Sequence, residues 1–224
     1  MAGAQEKAKE NAARKALGFV KDGMVVGLGS GSTANIFTRL LGEAGLKVLC
    51  VATSHDARAA ALTSGLVVLG LDEVGRIDVA VDGADLVDGK RNLIKGMGGA
   101  LAMEKVVDYL AKKFICLVDE SKLGKAFSGV VPIEVLPFAA APVAMQVEEK
   151  LGAKAILRGG SGKCGPVVTD NGNWILDAEF GKVKDPAWLE SALQEIPGVV
   201  ANGIFTRNKP IVVVGTEKGA RIIG

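Results

Sequence analysis

The chain has 224 residues, enough for one ample α/β core or for a domain with a smaller appendage, and Phe, Trp and Tyr make up only 4% of it. The core is therefore built from Ala, Val, Ile, Leu and Gly. A net charge of +2, with basic residues scattered and never interleaved with exposed aromatics, argues against a nucleic-acid partner. No apolar run approaches the roughly 20 residues of a membrane span, so no membrane partner is expected either.

Met1 to Arg14 is charged and Ala-rich, with no apolar signal core, and reads as an amphipathic helix of a cytoplasmic protein. Met24 to Leu28 is a short apolar strand that ends in glycines. Thr33 to Leu41 then has helical spacing, Lys47 to Val51 is strand-like, and Asp56 to Leu62 is an Ala-rich helix. Leu66 to Leu69 and Ile77 to Val81 are further strands, Ala100 to Ala111 a helix and Phe114 to Val118 a strand. Continuous Val/Ile/Leu runs separated by helices predict an α/β fold with a parallel sheet covered on both faces.

Beyond Gly129 the pattern changes. Pro132 to Phe138 is a strand bounded by prolines, Val143 to Leu151 a helix, and Ala155 to Arg158 a strand. Val167 to Leu176 carries a hairpin signal, Asn171-Gly172 between β-prone runs, and Pro186 to Glu195 is a helix. This predicts a small α+β subdomain of residues 130–203 inserted into a sheet domain of residues 1–129 plus 204–224. Ile204 to Thr206 and Ile211 to Val214 are expected to return to the first sheet as edge strands. Cys50 and Cys116 lie in apolar runs and read as buried thiols. With Cys164 far away and His55 the single histidine, there is no multi-His/Cys metal pattern and none is expected.

Three clusters carry chemistry. Gly29-Ser30-Gly31-Ser32-Thr33-Ala34 joins a strand to a helix; its open N–H groups, hydroxyls and helix terminus suit a phosphate. The same residues satisfy the dinucleotide fingerprint, but Ala52, Thr53 and Ser54 stand where a ribose-binding acid belongs. A capped helix after a tight turn is the plain alternative. Asp82-Gly83-Ala84-Asp85 follows an apolar strand, at the end where open parallel sheets bind ligands; it reads equally as a solvated turn. Lys95-Gly96-Met97-Gly98-Gly99 offers an ammonium and backbone donors, with Glu104 one turn into the next helix. Base, electrophile and oxyanion donors are what an aldose–ketose proton transfer requires, although a helical Glu is more often a solvated surface residue.

These motifs resemble ribose-5-phosphate isomerase of type A, and the resemblance extends in order through Asp119-Glu120-Ser121-Lys122, Glu134 to Ala139 and Thr169 to Asn173. It implies a Rossmann-like sheet domain with an inserted ferredoxin-like subdomain, assembled as a homodimer or homotetramer. It also implies catalysis by Glu104 with Asp82, Asp85 and Lys95, without metal or organic cofactor, on a small sugar phosphate. Glu104 is implied as the general base. The phosphate is implied to sit on Ser30, Gly31, Ser32 and Thr33 with Lys122, and the sugar against Gly83, Ala84, Gly96, Met97 and Gly98. Leu86 stands where the family often has Glu, and Met97 where it commonly has Gly; Met97 is expected to hold a torsion open to any L-residue. A related sugar-phosphate isomerase or deaminase, a non-catalytic sugar-phosphate sensor and a dinucleotide-binding oxidoreductase are the competing readings.

Overall fold

A computed structural model describes residues 2–160, 162 and 164–224; Met1, where the expected N-terminal helix begins, lies outside them. In chain order the elements are α1 (Ala2–Leu17), β1 (Val25–Leu28), α2 (Ser32–Glu43), β2 (Leu49–Ala52), α3 (His55–Thr63), β3 (Val67–Leu69), β4 (Val79–Gly83), β5 (Leu86–Val87), β6 (Leu93–Ile94), α4 (Leu101–Leu110) and β7 (Phe114–Asp119). Then come β8 (Gly129–Val135), α5 (Ala140–Leu151), β9 (Ala155–Leu157), β10 (Trp174–Phe180), α6 (Pro186–Gln194), β11 (Val199–Asn202), β12 (Ile204–Phe205), β13 (Ile211–Thr216) and β14 (Gly219–Ile223). No helix among the described residues is long and apolar enough to cross a membrane. The chain divides into two compact units, the first Met1–Ala84, Met103–Leu123 and Asn208–Gly224, the second Asp85–Ala102 and Gly124–Arg207.

The first unit is a seven-stranded sheet in the order β14-β13-β7-β4-β1-β2-β3, parallel throughout except for β14. From β1 the order runs outward through β2 and β3 on one side and through β4, β7 and β13 on the other. That is the doubly wound arrangement, whose switch point lies between β1 and β4. Strand β7 is buried along its whole length, which is why it reads as an unbroken apolar run. Val26, Leu28, Val81, Ile115 and Val213 pack with Ala12 and Ala16 of α1 and Phe37 and Leu41 of α2. Small side chains bring those helices close to the sheet, and little aromatic volume is needed. Cys50 on β2 and Cys116 on β7 are both buried and outside any disulfide, as expected.

The C-terminal expectation needs correcting. Ile204–Phe205 does not join the first sheet; it pairs with Leu93–Ile94 in a three-stranded sheet of the second unit. Ile211–Thr216 is not an edge strand, because it runs parallel to β7 on one side and antiparallel to β14 on the other. Its Val212-Val213-Val214 run is fully buried, whereas β14 carries exposed Arg221 and Ile222 and forms the true edge.

The second unit has a four-stranded antiparallel sheet in the order β11-β8-β10-β9. With α5 and α6 this is the βαββαβ arrangement of ferredoxin-like folds. Its core joins Val131, Ile133 and Val135 to Val143 and Val147 of α5 and Leu189 and Leu193 of α6. The strand expected at Pro132 to Phe138 begins earlier, at Gly129, and ends at Val135; Pro137 to Ala139 form a 3-10 turn with Phe138 exposed. Pro132 is tolerated inside β8 because pairing with β11 ends at Ile133. Pro132 O accepts from Gly203 N–H on that side, so the missing N–H faces the finished end of the ladder. The expected hairpin closes through Gly172 N–H to Thr169 O and Thr169 N–H to Asn173 O. Gly172 is left-handed at φ 79°, and only the arm from Trp174 onward is a full strand. Strands β5 and β6 form a further hairpin that the pattern does not announce. Asp88 folds it by accepting the N–H groups of Lys90 and Asn92, each at 2.8 Å.

Candidate active site

In the first unit the switch point gathers the ends of β1, β2 and β4. Asp82, at the end of β4, is fully buried, and its Oδ1 accepts the N–H groups of Ser30 (3.1 Å) and Gly83 (2.6 Å). A Cβ on Gly29 would overlap the Asp82 carboxylate and Cα, so glycine at 29 is what lets the loop lie on Asp82. The Ser30 hydroxyl turns inward, bonding Thr53 Oγ1 at 2.9 Å and Ser54 Oγ at 2.7 Å, and so ties the β1 loop to the β2 loop. Ser54 also caps α3 through Ala57 N–H. Thr53 and Ser54, where an acid would have marked a dinucleotide site, are thus part of the loop's support.

Helix α2 starts at Ser32 with Gly31 as its N-cap at φ 95°, and no side chain caps it. Its first N–H groups, near exposed Gly31 and Ser32, are therefore open to an anion. Lys9 of α1 donates to Ser32 Oγ at 3.0 Å, adding an ammonium beside this terminus. Sequence reading missed Lys9, because 23 positions separate it from Ser32 and only the packing of α1 brings it there. Lys122 sits in the short turn after β7. Burial pushes the neighbouring Asp119 carboxyl up, but hydrogen bonds from Ser121 and Gln5 and the charge of Lys122 outweigh it, so it titrates below the usual carboxylate range.

Glu104 lies in the first turn of α4 and is only 6% exposed, so it is not the solvated surface residue that helical Glu usually is. Leu101, Glu104, Val107 and Asp108 share the buried face of α4, while Val106 and Leu110 are exposed. Asp108, fully buried one turn after Glu104, was not singled out from the sequence, since its neighbours give no motif.

In the second unit the β5–β6 hairpin places Asp85 and Lys95 at the same end. Leu86 pairs with Ile94, and Asp85 N–H donates to Ile94 O at 2.8 Å, so Asp85 and Lys95 flank the last cross-strand pair. Lys95 is 2% exposed; its N–H donates to Gly203 O, and its Nζ lies 5.4 Å from the centroid of the Phe205 ring. Gly96 to Gly99 form a turn closed by Gly99 N–H on Gly96 O at 3.0 Å, with Gly96 at φ 101°. Met97 N–H donates to Asp85 Oδ2 at 3.1 Å. Among the described residues Arg91 is the one non-glycine at positive φ, so Met97 holds a torsion open to any L-residue, as expected. The Gly96 carbonyl and that of Met97 itself are gripped by Arg158, which the sequence did not mark because its role depends on contacts across 62 and 61 positions. Direct hydrogen bonds thus join Ser30 and Gly83 to Asp82 in one unit, and Met97 to Asp85 in the other. Glu104 and Lys122 are placed by their own elements.

Comparison with known proteins finds one enzyme family along nearly the whole chain. Residues 49–219 match the family model of ribose 5-phosphate isomerase A (phosphoriboisomerase A). The chain is 51% identical over 223 residues to ribose-5-phosphate isomerase A of Thermococcus kodakarensis, covering 96% of this chain and 97% of that protein. Among solved structures it resembles a D-ribose-5-phosphate isomerase in complex with phospho-erythronic acid, at TM-score 0.94 and 47% identity over 97% of this chain and 98% of that one. It likewise resembles the ribose 5-phosphate isomerase of Methanocaldococcus jannaschii, at TM-score 0.93 and 44% identity over 98% and 99%.

Proposed function

Since this chain belongs to the ribose 5-phosphate isomerase A family and is an aldose–ketose isomerase interconverting D-ribose 5-phosphate and D-ribulose 5-phosphate, we propose that Glu104 is its general base and Lys95 its electrophile. The sensor and oxidoreductase readings give way to that membership. The observation that carries the assignment of roles is burial: Asp82, Lys95 and Glu104 are 0%, 2% and 6% exposed. Ionisable side chains are almost never held so far from water without a partner or a task.

Removing the C2 proton of an aldose requires the neighbouring carbonyl oxygen to be stabilised as it gains charge. In this mechanism the buried Lys95 ammonium and the Gly98 N–H supply that stabilisation, while the Met97 N–H holds Asp85. Glu104 takes the proton from C2, leaving a cis-enediolate. A proton then passes from the C2 hydroxyl to O1, and Glu104 returns its own proton to C1. Asp82 and Asp85, with the peptide groups of Gly83 and Ala84, hold the sugar hydroxyls and assist opening of the furanose. The phosphate is bound at Gly31, Ser32 and Thr33, at the open terminus of α2, with Lys122 and Lys9 neutralising it. Ser30 shapes that loop rather than touching the phosphate, because its N–H is committed to Asp82 and its hydroxyl to Thr53 and Ser54. Binding energy at the phosphate helps align the reacting carbons. No step uses a metal or organic cofactor.

Glu104→Gln is expected to lower kcat by at least about a hundredfold, the lower range for a positioned base, with KM little changed. Near-normal turnover, or a rate that falls on exhaustive chelation and returns with Mg²⁺, contradicts the assignment. A homodimer or homotetramer in the cytoplasm is also proposed. In its favour, Phe138, Met145 and Trp188 are 84%, 61% and 60% exposed, large apolar side chains that a contact between copies would cover. A monomer in sedimentation equilibrium, or recovery outside the cytosolic fraction, rules it out.

A further inference from the structure

Arg158 has no donor to spare. Its Nε donates to Asp177 Oδ2 at 2.8 Å and its Nη2 to Asp177 Oδ1, the two-pronged pairing of a guanidinium with a carboxylate. Its Nη1 donates to Gly96 O and to Met97 O, each at 3.0 Å, and Nη2 also lies 3.9 Å from Met97 Sδ. Every N–H of the guanidinium is thus committed within the second unit, and the side chain is only 14% exposed. The antiparallel pairing of β9 with β10 makes the grip possible. Ile156 pairs with Asp177, and Arg158, two residues further on, stands on the same face as Ile156 and reaches Asp177 diagonally. A cation saturated by its own protein does not bind substrate, so its use lies in what it holds.

What it holds is a pair of successive peptide groups. A trans peptide is planar, and its C=O and N–H point in opposite directions. Fixing Gly96 O on Arg158 therefore sends Met97 N–H the other way, where it donates to Asp85 Oδ2 at 3.1 Å. Fixing Met97 O on the same nitrogen sends Gly98 N–H away as well, and Gly98 N–H meets no acceptor among the described residues.

We propose that Arg158, anchored by Asp177, is a positioning residue for the isomerisation: it aims the Met97 and Gly98 N–H groups away from itself, fixing Asp85 with one and presenting the other to the oxygen that gains charge. The inference rests on the reading of Lys95 to Gly98 as the enediolate side of the reaction. Lysine does not replace this arginine, because one ammonium cannot make the paired bonds to Asp177 and grip both carbonyls.

The test compares Arg158→Lys, Arg158→Ala and Asp177→Asn by kcat and KM for ribose 5-phosphate, inhibition by phospho-erythronic acid, and Tm. Arg158→Ala is expected to lose about a hundredfold in kcat, the size of effect seen when an oxyanion donor is lost, with KM within about threefold. Phospho-erythronic acid should bind more weakly in the same variant, and millimolar guanidinium should restore part of kcat. Arg158→Lys and Asp177→Asn should each lose about tenfold, a partial loss of the same alignment. A merely structural clamp lowers Tm and leaves kcat, inhibition and guanidinium response of the folded enzyme unchanged, and that result overturns the proposal. If Arg158→Ala does not fold, Arg158→Lys and Asp177→Asn decide on the same readouts. Glu104→Gln run alongside separates two failures. If it is crippled while the Arg158 variants are normal, only this inference falls; if it is active, the assignment of the base falls first.

Discussion

The two glycine-rich loops, Gly-Ser-Gly-Ser-Thr at 29–33 and Gly-Met-Gly-Gly at 96–99, are held in different ways. In the loop of residues 29–33 the need for glycine is steric at Gly29, beside the positive φ of Gly31. Gly29 lies so close to Asp82 that any Cβ would overlap carboxylate and backbone, and both partners are fixed by parallel strands at the switch point. In the loop of residues 96–99 the need is torsional, with Gly96 at φ 101° and Gly99 at φ 83°. That second loop is steadied from outside by Arg158, on the far end of a strand from another part of the sequence. A loop set by its own sheet tolerates little at the contact. A loop set by a clamp tolerates changes at its tip and depends on the clamp.

Gly29→Ala should therefore be the most damaging single methyl in either loop. The added carbon forces the β1 loop off Asp82, costing about 1–3 kcal/mol as overpacking does. A Tm lowered by several degrees and kcat/KM reduced by about a hundredfold are the expected readings. Wild-type values for both would mean that the close approach to Asp82 is not what the loop needs.

Thiol labelling contrasts the units at a milder level. Burial pushes the Cys50 thiol up to about 12, whereas Cys164, in the second unit, is exposed. At pH 8 a disulfide reagent should modify Cys164 promptly and leave Cys50 and Cys116 protected until unfolding, with all three titrating in denaturant. Rapid native labelling of Cys50 would show that the β2 region of the sheet opens readily.

The smallest effect is expected at Met97. Its backbone needs no left-handed torsion, and its side chain is 45% exposed beside Arg158. Met97→Gly should keep kcat within about twofold and lose about 0.4–1 kcal/mol of stability through the freer unfolded chain. A large fall in kcat would show that the Met97 side chain, rather than Arg158, holds the turn.

Much of the first unit was legible in the residues themselves. Val/Ile/Leu runs marked its parallel strands, because strands buried on both faces need apolar side chains at every position. Glycines and hydroxyls at 29–33 marked the anion loop, because backbone torsion and helix-end chemistry are local properties. Asp82, Asp85, Lys95 and Glu104 stood in motifs that are weak singly and indicate an isomerase only together and in order, as a family resemblance.

Other features arose only from pairing and packing between distant segments. The two-residue strands β5, β6 and β12 are too short to show a period, and β14 alternates too weakly to stand out from a loop. Whether Ile211–Thr216 lies inside the sheet or at its edge depends on whether a further strand folds back on it. Glu104 and Asp108 look like surface carboxylates until the face of α4 that carries them is buried. Lys9 beside Ser32 and Arg158 on the Gly96–Met97 carbonyls are contacts across 23 and about 60 positions. Periodicity and turn chemistry act over a few residues and are written along the chain; hydrogen bonds between remote segments exist only once the hydrophobic core has brought those segments together.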